Sequence, residues 1–405
     1  MAELYSLPDG WEWKKLGKIA KLQNGFAFKS KLFVNDGLPI VRIKNIKNEK
    51  VLLDDVVYFN VEDYGKKLDS YQIKKNDILI AMSGATTGKI GLYDTEEISY
   101  LNQRVGLFRI ENSNLRSYLF YFLSTQIEKN LELSLGAAQP NLSTEQINNI
   151  ELPLPPLEEQ KRIVAKLDIL FAKIDKAIDL HQKNIDEADI FMASVLNDVF
   201  MELNTNETIE LKYITSKIGS GSTPRGGQKA YKNEGISLIR SMNVHDNGFR
   251  SKGLVFIDDE QANKLDNVTI KENDILLNIT GASVARCCIV DKNYLPARVN
   301  QHVSIIRLED KFIPNFLHYY IISPSVKSDL LFSSSGGATR EAITKSMLEE
   351  FKVPKVSIVT QQKVVSYLDE ISNKMEKIKN LQKKKMQSLK ALKASILDKA
   401  FKGEL

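Results

Sequence analysis

The chain has 405 residues, of which 26% are charged, and its formal net charge is only +5. This length is too great for one hydrophobic core and suits two domains with connecting helices. The small net charge excludes a uniformly basic nucleic-acid-binding protein, so any anion-binding surface must be local. The two cysteines, Cys287 and Cys288, are adjacent, which argues against a structural disulfide. With no signal peptide and no apolar run of about 18 residues, we expect a soluble, cytoplasmic protein.

The first 155 residues predict a sheet-rich α/β domain. Short apolar bursts at 39–43, 56–59, 77–82, 89–93 and 105–110 are separated by turn residues, as in strands. Helical segments follow near 118–135 and at Ser143, where Ser143 and Gln146 have the spacing of a capping box. Prolines then end this domain and start a helix.

Residues 156–203 predict one long helix with a single apolar face. Apolar residues recur there at steps of three or four, with His181 among them. Such a helix spans roughly 65 Å at about 1.5 Å per residue, and it needs a partner because long helices are not stable alone. The stripe runs through Ile163, Leu167, Leu170, Ile174, Ile178, His181, Ile185, Ala188, Met192, Val195 and Val199.

The second half of the chain repeats the first. Residues 273–276 repeat the Asn-Asp-Ile-Leu of 76–79, and residues 361–369 repeat the register of 160–168. We therefore expect a tandem duplication, with a second domain at 204–355 and a second long helix at 356–405. A twofold relation between the copies would make the helices antiparallel. The predicted helix–helix contacts are Ile163, Leu167, Leu170, Ile174, Val364, Leu368, Ile371 and Met375.

No catalytic motif is evident. An adenine methyltransferase would need an Asp/Asn-Pro-Pro-aromatic stretch, and the sequence has none. Residues 84–89 imitate a phosphate-binding loop, but three residues instead of four separate the glycines, and Ile90 follows the lysine. The four histidines lack metal-ligand spacing. We therefore predict a non-catalytic chain that binds no metal or cofactor.

Recognition is the remaining function, and two similar domains joined by long helices suit an extended, regular target such as duplex DNA. Arg can bind guanine through two hydrogen bonds in the major groove, and Asn or Gln can bind adenine in the same way. Residues matched between the copies, such as Asn45 and Asn243, fit a role in the shared fold, so specificity would lie in the unmatched ones. The candidates for DNA contact are Lys29, Arg42, Lys44, Asn45, Gln103, Arg104, Gln139 and Asn141 in the first copy, and Arg225, Arg240, Asn243, Arg286, Arg298, Gln301 and Arg340 in the second.

Four stretches resemble the specificity subunit of type I restriction-modification systems, and the resemblance covers essentially the whole chain. The first is Leu-Pro-Leu-Pro-Pro-Leu-Glu-Glu-Gln-Lys-Arg-Ile-Val at 152–164, which enters the first long helix. The others are Gln-Gln-Lys-Val-Val at 361–365, Trp-Glu-Trp-Lys-Lys-Leu-Gly at 11–17, and the ending from 395–397 to 403–405. The second copy has Pro354-Lys355-Val356 in place of the proline pair.

The resemblance implies an α+β fold in which two target recognition domains are separated by two antiparallel helices that form a coiled-coil spacer. Each domain would read one half of a split DNA sequence, and the helices would set the gap. Two modification subunits would carry S-adenosylmethionine, and a motor-nuclease subunit would use ATP and Mg²⁺. One alternative is a coiled-coil scaffold that joins two protein-binding modules, and another is an autonomous enzyme with an unfamiliar site.

Overall fold

The computed structural model describes residues 5–64, 66–135, 140–203, 207–334 and 342–405. The chain forms two compact units, which we call unit 1 (residues 1–181 and 384–405) and unit 2 (residues 182–383). Each unit contains one sheet-rich region and a part of each long helix. None of the helices in these described ranges combines the length and apolar character needed to span a bilayer.

Unit 1 is built on two main sheets. In its described part, the larger sheet has the order β2-β11-β8-β9-β5-β4, the second has the order β6-β3-β10-β7, and β1 pairs with β12. The strands are β1 (Glu12–Lys15), β2 (Leu22–Asn24), β3 (Leu38–Val41), β4 (Ile46–Lys47), β5 (Glu49–Val51), β6 (Val57–Phe59), β7 (Gln72–Ile73), β8 (Ile78–Ala81), β9 (Ile90–Leu92), β10 (Ser99–Leu101), β11 (Val105–Phe108) and β12 (Glu151–Leu154). The helices are α1 (Leu16–Ile19), α2 (Ser113–Thr125), α3 (Ile127–Leu133), α4 (Thr144–Asn148) and the first half of α5 (Leu157–Glu202).

Strand β8 is buried on both faces, which explains why its sequence is an unbroken apolar run. Ile78 and Ile80 join a core cluster that includes α2 and α5, whereas Leu79 and Ala81 join a second cluster on the opposite face. Successive side chains of a strand point to opposite faces, so a strand buried on both faces needs apolar residues throughout. β8 therefore lies at the centre of unit 1.

Unit 2 repeats this plan with smaller sheets. Its described part has the sheets β14-β23-β20-β21 and β18-β15-β22-β19, and the pairs β13-β24 and β16-β17. The strands are β13 (Thr208–Glu210), β14 (Thr215–Ser220), β15 (Ile236–Ile239), β16 (Val244–His245), β17 (Gly248–Phe249), β18 (Val255–Ile257), β19 (Thr269–Ile270), β20 (Ile275–Asn278), β21 (Cys287–Ile289), β22 (Ala297–Val299), β23 (Val303–Leu308) and β24 (Lys352–Pro354). The helices are α6 (Asp259–Lys264), α7 (Pro314–Ile322), α8 (Pro324–Ser334), α9 (Lys345–Glu349) and α10 (Ile358–Lys402), together with the second half of α5.

The repeated Asn-Asp motif makes the same turn before the central strand of each unit. Asn76 and Asn273 adopt positive φ angles of 72° and 68°, which Asn tolerates better than most residues. The aspartate that follows is buried and accepts two hydrogen bonds from an arginine. The distances are 2.9 and 2.6 Å from Arg109 to Asp77 in unit 1, and 2.7 and 2.6 Å from Arg307 to Asp274 in unit 2.

The long helices pair in an antiparallel arrangement within each unit. In unit 1, Asp175 of α5 lies 3.2 Å from Lys393 of α10, and Arg162 donates to the carbonyl of Leu405, so the residue numbers run in opposite directions. In unit 2, the α5 residue Asp189 lies 3.0 Å from the α10 residue Lys379. Both helices contribute apolar residues to the core cluster of each unit.

The fold class predicted from the sequence is confirmed: two sheet-rich regions occur in tandem, and each is followed by a long helix. The predicted capping box is also confirmed, since Ser143 and Gln146 each accept a hydrogen bond from the other's backbone N–H, at 3.1 and 2.8 Å. The long helices were predicted at 156–203 and 356–405, and they run from Leu157 to Glu202 and from Ile358 to Lys402. The four domain boundaries stay a prediction, because each compact unit combines a sheet region with parts of both helices.

Candidate nucleic-acid interface

Four chain segments meet at one edge of unit 1, and we call them loop cluster 1 (residues 25–28, 82–84, 101–104 and 140–142). Backbone hydrogen bonds join the first segment to the third, the third to the second, and the second to the fourth. The Phe26 N–H donates to the Leu101 carbonyl at 2.8 Å, and the Met82 N–H donates to the Arg104 carbonyl at 2.9 Å. The Leu142 N–H donates to the Met82 carbonyl at 2.7 Å. The side chains of these segments are therefore carried by a fixed backbone, although the segments are far apart in sequence.

Unit 2 contains the same arrangement, loop cluster 2 (residues 221–223, 279–281, 299–302 and 342–343). The Ser222 N–H donates to the Val299 carbonyl at 3.3 Å, and the Ile279 N–H donates to the His302 carbonyl at 3.0 Å. The Ile343 N–H donates to the Ile279 carbonyl at 2.8 Å. The duplication has thus kept the backbone of the cluster, while the side chains on it differ.

A glycine is required where the first segment of each cluster meets the third. A Cβ atom on Gly25 would lie 2.0 Å from the Asn102 carbonyl oxygen, and one on Gly221 would lie 1.8 Å from that of Val299. Both distances are far below any real contact, and the obstacle is backbone rather than a flexible side chain. No other residue fits at either position without moving the neighbouring segment.

Loop cluster 1 brings together several of the residues predicted to contact DNA. Gln103, Arg104 and Asn141 are exposed on it, and Lys29 is exposed directly after its first segment. The Asn102 N–H donates to the Val41 carbonyl at 3.2 Å, which places the half-buried Arg42 beside the cluster.

Lys44 follows two residues after Arg42 and is ion-paired. Its ammonium group lies 2.6 Å from the Asp55 carboxylate. The hydrogen bond from Lys44 is the main reason that the pKa of Asp55 lies below its usual value. Both side chains are exposed, so Lys44 can exchange this partner for a phosphate.

Loop cluster 2 carries fewer exposed candidates. Gln301 is exposed, accepts a hydrogen bond from the Thr223 hydroxyl, and lies 3.0 Å from the Nε2 atom of His302. Arg225 is exposed beyond the first segment, and Arg286 is half-buried after the second.

Arg240 of unit 2 is half-buried and held by two contacts. It donates to the Gly253 carbonyl at 2.6 Å, and its guanidinium lies over the Tyr231 ring at 5.3 Å from the ring centre. A guanidinium held in this way has limited freedom to reach a base.

Three of the candidate residues have a structural role instead. Asn45 and Asn243 are almost fully buried, and each accepts a hydrogen bond from a backbone N–H three residues earlier, at 2.9 and 3.1 Å. Each also donates to backbone carbonyls seven residues later, at 3.2 and 2.9 Å. Arg298 is buried and donates to the Ala262 carbonyl and to Asp266. Because burial removes these side chains from solvent, we withdraw them as candidate DNA contacts.

Two further candidates, Gln139 and Arg340, lie outside the described residues. Among the predicted helix contacts, Ile163, Leu167 and Ile174 are buried in the unit 1 core, and Leu170 packs against it. In unit 2, Leu368 is buried in the core, Val364 and Ile371 pack against it, and Met375 lines a nearby cavity.

Lys393 contacts Asp175 and Phe171 in unit 1, although it is not among the residues predicted from the sequence. The available signal was that Lys393 takes the repeat position of Met192, a member of the apolar stripe. A lysine on a packing face needs an acidic or aromatic partner, so the exception marked a specific contact.

The described residues hold few groups suited to covalent or metal chemistry. They contain no set of three or more His, Cys, Asp or Glu side chains that could hold a metal ion. Both cysteines are buried, and burial raises the pKa of Cys287 well above its usual value and that of Cys288 to about 12. Their reactive thiolate forms are therefore suppressed at neutral pH. The exposed groups of the loop clusters can instead donate to phosphates and to base edges.

Two copies of one α/β unit, each with exposed amide groups on a fixed loop cluster and with arginine side chains on or beside it, define a tandem recognition protein. The sequence matches the family model described as type I restriction modification DNA specificity domain at residues 8–188 and again at 203–386. The chain belongs to this family, as the resemblance predicted. Its function is DNA sequence specificity in a type I restriction-modification system, which decides against the scaffold alternative.

Known relatives agree with this assignment. The type I restriction enzyme EcoBI specificity subunit of Escherichia coli is 27% identical over 433 aligned positions, which cover 99% of this chain and 88% of that subunit. The MjaVIII specificity subunit of Methanocaldococcus jannaschii is 32% identical over 203 positions, covering 48% and 47% of the two chains. A solved chain of a type I restriction-modification system has the same fold, with a TM-score of 0.71 at 21% identity, and the match covers 99% of this chain and 100% of that one.

Proposed function

We propose that loop cluster 1 reads one half of a split DNA target and loop cluster 2 reads the other half, while α5 and α10 set the gap. In this proposal residues 1–155 and 204–355 are the recognition domains, and residues 156–203 and 356–405 are the spacer helices. The single observation that carries the proposal is the repetition of the cluster backbone with different side chains. Matched backbones give both copies one way to approach DNA, and unmatched side chains let each read its own sequence.

Residue differences at matched positions support this division of labour. Gln103 and Gln301 occupy the same place in the two clusters, but the next residue is Arg104 in unit 1 and His302 in unit 2. Arg104 is exposed, whereas His302 is half-buried and lies within hydrogen-bonding distance of Thr280. We therefore assign base reading to Arg104 and similar unmatched side chains.

We also propose that catalysis is supplied by partner subunits. Two modification subunits would carry S-adenosylmethionine, a motor-nuclease subunit would use ATP and Mg²⁺, and the assembly would act in the cytoplasm, where the genomic DNA is. Exposed apolar residues at matched positions of the helices support two equivalent docking sites: Leu180 with Leu381, and Phe191 with Leu392. Exposed apolar side chains that recur in both copies fit two copies of one partner.

An exchange of one recognition domain tests the proposal. Residues 210–350 are replaced by those of another family member, the chain is expressed with its modification subunit, and the methylated bases are mapped by single-molecule sequencing. We expect one half of the target to change, while the other half and the gap stay the same. A change in both halves would contradict the assignment of one half-site to each copy.

A paired insertion tests the role of the helices. Four residues are added after Lys176 in α5 and four after Ala391 in α10, two positions that face each other in unit 1 because Asp175 pairs with Lys393. One added turn is about 6 Å, and one base pair is about 3.4 Å, so the gap should widen by one or two base pairs. The same insertion after the exposed Asp36 serves as the control and should leave the gap unchanged. A gap that did not respond to the paired insertion would show that the helices do not set it.

A further inference from the structure

A β-hairpin in unit 1 has its tip directed at the long helices. Strands β4 and β5 form a turn whose central residues are Asn48 and Glu49, the first residue of β5, and both have positive φ angles, at 51° and 61°. Positive φ at both central residues is characteristic of the type I′ turn, one of the two common two-residue connections between antiparallel strands. β5 also pairs with β9, so that the hairpin is the edge of the larger sheet.

The hairpin tip meets a lysine of α10 that is held on three sides. The ammonium group of Lys393 lies 3.9 Å from Glu49, 3.2 Å from Asp175 of α5, and 4.7 Å from the centre of the Phe171 ring. We call these four residues the Lys393 cluster. The Lys393 side chain is only 21% exposed, so its charge is less screened by solvent than that of an ordinary surface lysine.

The other end of the same hairpin holds the loop that carries two candidate DNA contacts. Asn45 donates to the carbonyls of Leu52 and Asp55 at 3.2 and 3.0 Å, and so ties the start of the hairpin to its end. The Asn45 side chain also accepts from the N–H of Arg42 at 2.9 Å. An unbroken series of contacts thus runs from the helix pair through Lys393, Glu49 and the hairpin to Arg42 and Lys44.

This arrangement is specific to the first copy. The residue matched to Lys393 is Met192, and the hairpin of β16 and β17 pairs with no other strand in the described part of unit 2. There, Asp246 of the hairpin pairs with Lys327 of α8 and accepts from the Cys287 N–H at 3.0 Å. The tip of the second hairpin is therefore held within its own recognition domain, whereas the tip of the first, although its strand β5 pairs with β9, also contacts the spacer helices.

We propose that Lys393 is a positioning residue for the reading of the first half-site. It fixes the β4–β5 hairpin against α5 and α10, and in this way sets where Arg42 and Lys44 meet the DNA relative to the helices. The proposal rests on the function proposed above. A partly exposed ion pair contributes little to folding, typically below about 1 kcal/mol, so the consequence of Lys393 lies in geometry rather than in stability.

The test uses the complex of the full chain with its modification subunit and a series of duplexes that carry the mapped target with its own gap or with one base pair more or fewer. The variants are Lys393→Met, which copies the matched residue Met192, and Glu49→Gln, which removes the charge that pairs the hairpin with Lys393. We expect both to weaken binding to the native gap by about 3- to 10-fold and to reduce discrimination against the altered gaps. Lys393→Arg should keep the native preference, and Lys390→Met, at an exposed lysine of the same helix, is the control.

The outcomes separate this inference from the proposed function. If the Lys393→Met and Glu49→Gln complexes keep the native gap preference, the positioning role is overturned. This holds even if their melting temperatures fall, because a lysine with only a structural role would lower stability and leave the gap preference unchanged. A wild-type complex with no gap preference would instead overturn the proposed function, and this inference with it. A loss of discrimination confined to the second half-site would likewise contradict the positioning role.

Discussion

The space between the hairpin and the long helices is occupied by the Phe171 ring in unit 1 and contains a cavity in unit 2. In unit 1, the Phe171 ring contacts both Lys393 and Tyr121. In unit 2, the matched residue is Ser372, which lines a cavity of about 620 Å³ together with Met192 and the hairpin residue Asn247. The frame around the two places is nevertheless the same, since Tyr121 donates to Asp168 at 2.5 Å and Tyr319 donates to Asp369 at 2.6 Å.

The difference shows which parts of a duplicated chain can diverge. Backbone contacts and buried polar side chains, such as those of Asn45 and Asn243, are the same in both copies because any change would leave hydrogen-bonding groups unpaired. The side chains in the space between hairpin and helices have changed, from Lys393 and Phe171 in unit 1 to Met192 and Ser372 in unit 2. Their hydrogen bonds, from Lys393 to Asp175 and between Ser372 and Tyr319, join side chains and are not part of the repeated backbone contacts. The two copies therefore have similar loop clusters, while the contacts between the hairpin and the long helices differ between them.

The largest effect should come from the glycines that both copies need. Gly25→Ala and Gly221→Ala each force a Cβ atom into a backbone carbonyl, and we expect a loss of about 3 kcal/mol or more in the free energy of unfolding. Gly219→Ala is the matched control, because a Cβ atom there meets nothing within 4 Å. Urea denaturation of the three variants measures the losses. If only one of the two cluster glycines proved sensitive, the equivalence of the clusters would be wrong.

Exchanging the matched residues Phe171 and Ser372 should have the next largest effect. Phe171 is buried, and Phe171→Ser should cost about 3 kcal/mol of unfolding free energy. Ser372→Phe places a ring against the cavity but removes the hydrogen bond between Ser372 and Tyr319, so the two effects offset and the unfolding free energy of unit 2 should change by no more than about 1 kcal/mol. Phe191→Ser on the same helix is the control, because Phe191 is exposed. Equal losses of unfolding free energy for Phe171→Ser and Phe191→Ser in urea denaturation would show that Phe171 does not fill the space between the hairpin and the helices.

The unmatched side chain of loop cluster 1 should affect DNA binding rather than stability. Arg104→Ala should cost about 1–3 kcal/mol of binding free energy and relax the sequence requirement at a position in one half-site. Arg104→His, which copies His302 of the second cluster, should likewise relax the requirement at that position. The exposed Lys129→Ala is the control, and affinities for duplexes with single base changes are the measurement. An even loss across all sequences would show that Arg104 contacts only phosphate.

The sequence predicted the fold better than the site, for a physical reason. Helical periodicity in α5 and α10, and the Asn-Asp turns before β8 and β20, depend on local residue order, so a sequence pattern reveals them. The loop clusters are formed by hydrogen bonds between segments far apart in the chain, such as Met82 with Arg104. No local pattern shows which segments will meet.

Burial was the second limit on prediction from sequence. Asn45, Asn243 and Arg298 have the residue types that read bases, yet their side chains are occupied inside the fold. A match between the copies correctly suggested the structural role of the two asparagines. Arg298 had no such indication, because the repeat offers no matching arginine. Residue type therefore nominates candidates, and only the environment of each side chain decides among them.

The smallest predicted effect is a pH dependence of unit 2 that unit 1 lacks. His318 is half-buried beside the cavity, where unit 1 has Phe120, and its Nε2 atom lies 3.2 Å from the Cys287 carbonyl. Burial lowers the pKa of His318 below its usual 6.5, although the Cys287 carbonyl and the charges of Asp246 and Asp369 oppose the shift. The unfolded chain therefore binds a proton at a higher pH than the folded chain does.

It follows that the unfolding free energy of unit 2 should fall as the pH drops below about 6.5 and should not depend on this group above that value. The slope contributed by His318 can reach about 1.4 kcal/mol per pH unit. His318→Phe, which copies Phe120, should remove that contribution, whereas a His245→Gln control should keep it. Urea denaturation between about pH 5 and pH 7.5 measures the slopes. An unchanged slope in His318→Phe would mean that His318 titrates as it does in the unfolded chain, so that the two copies would differ in packing but not in their response to acid.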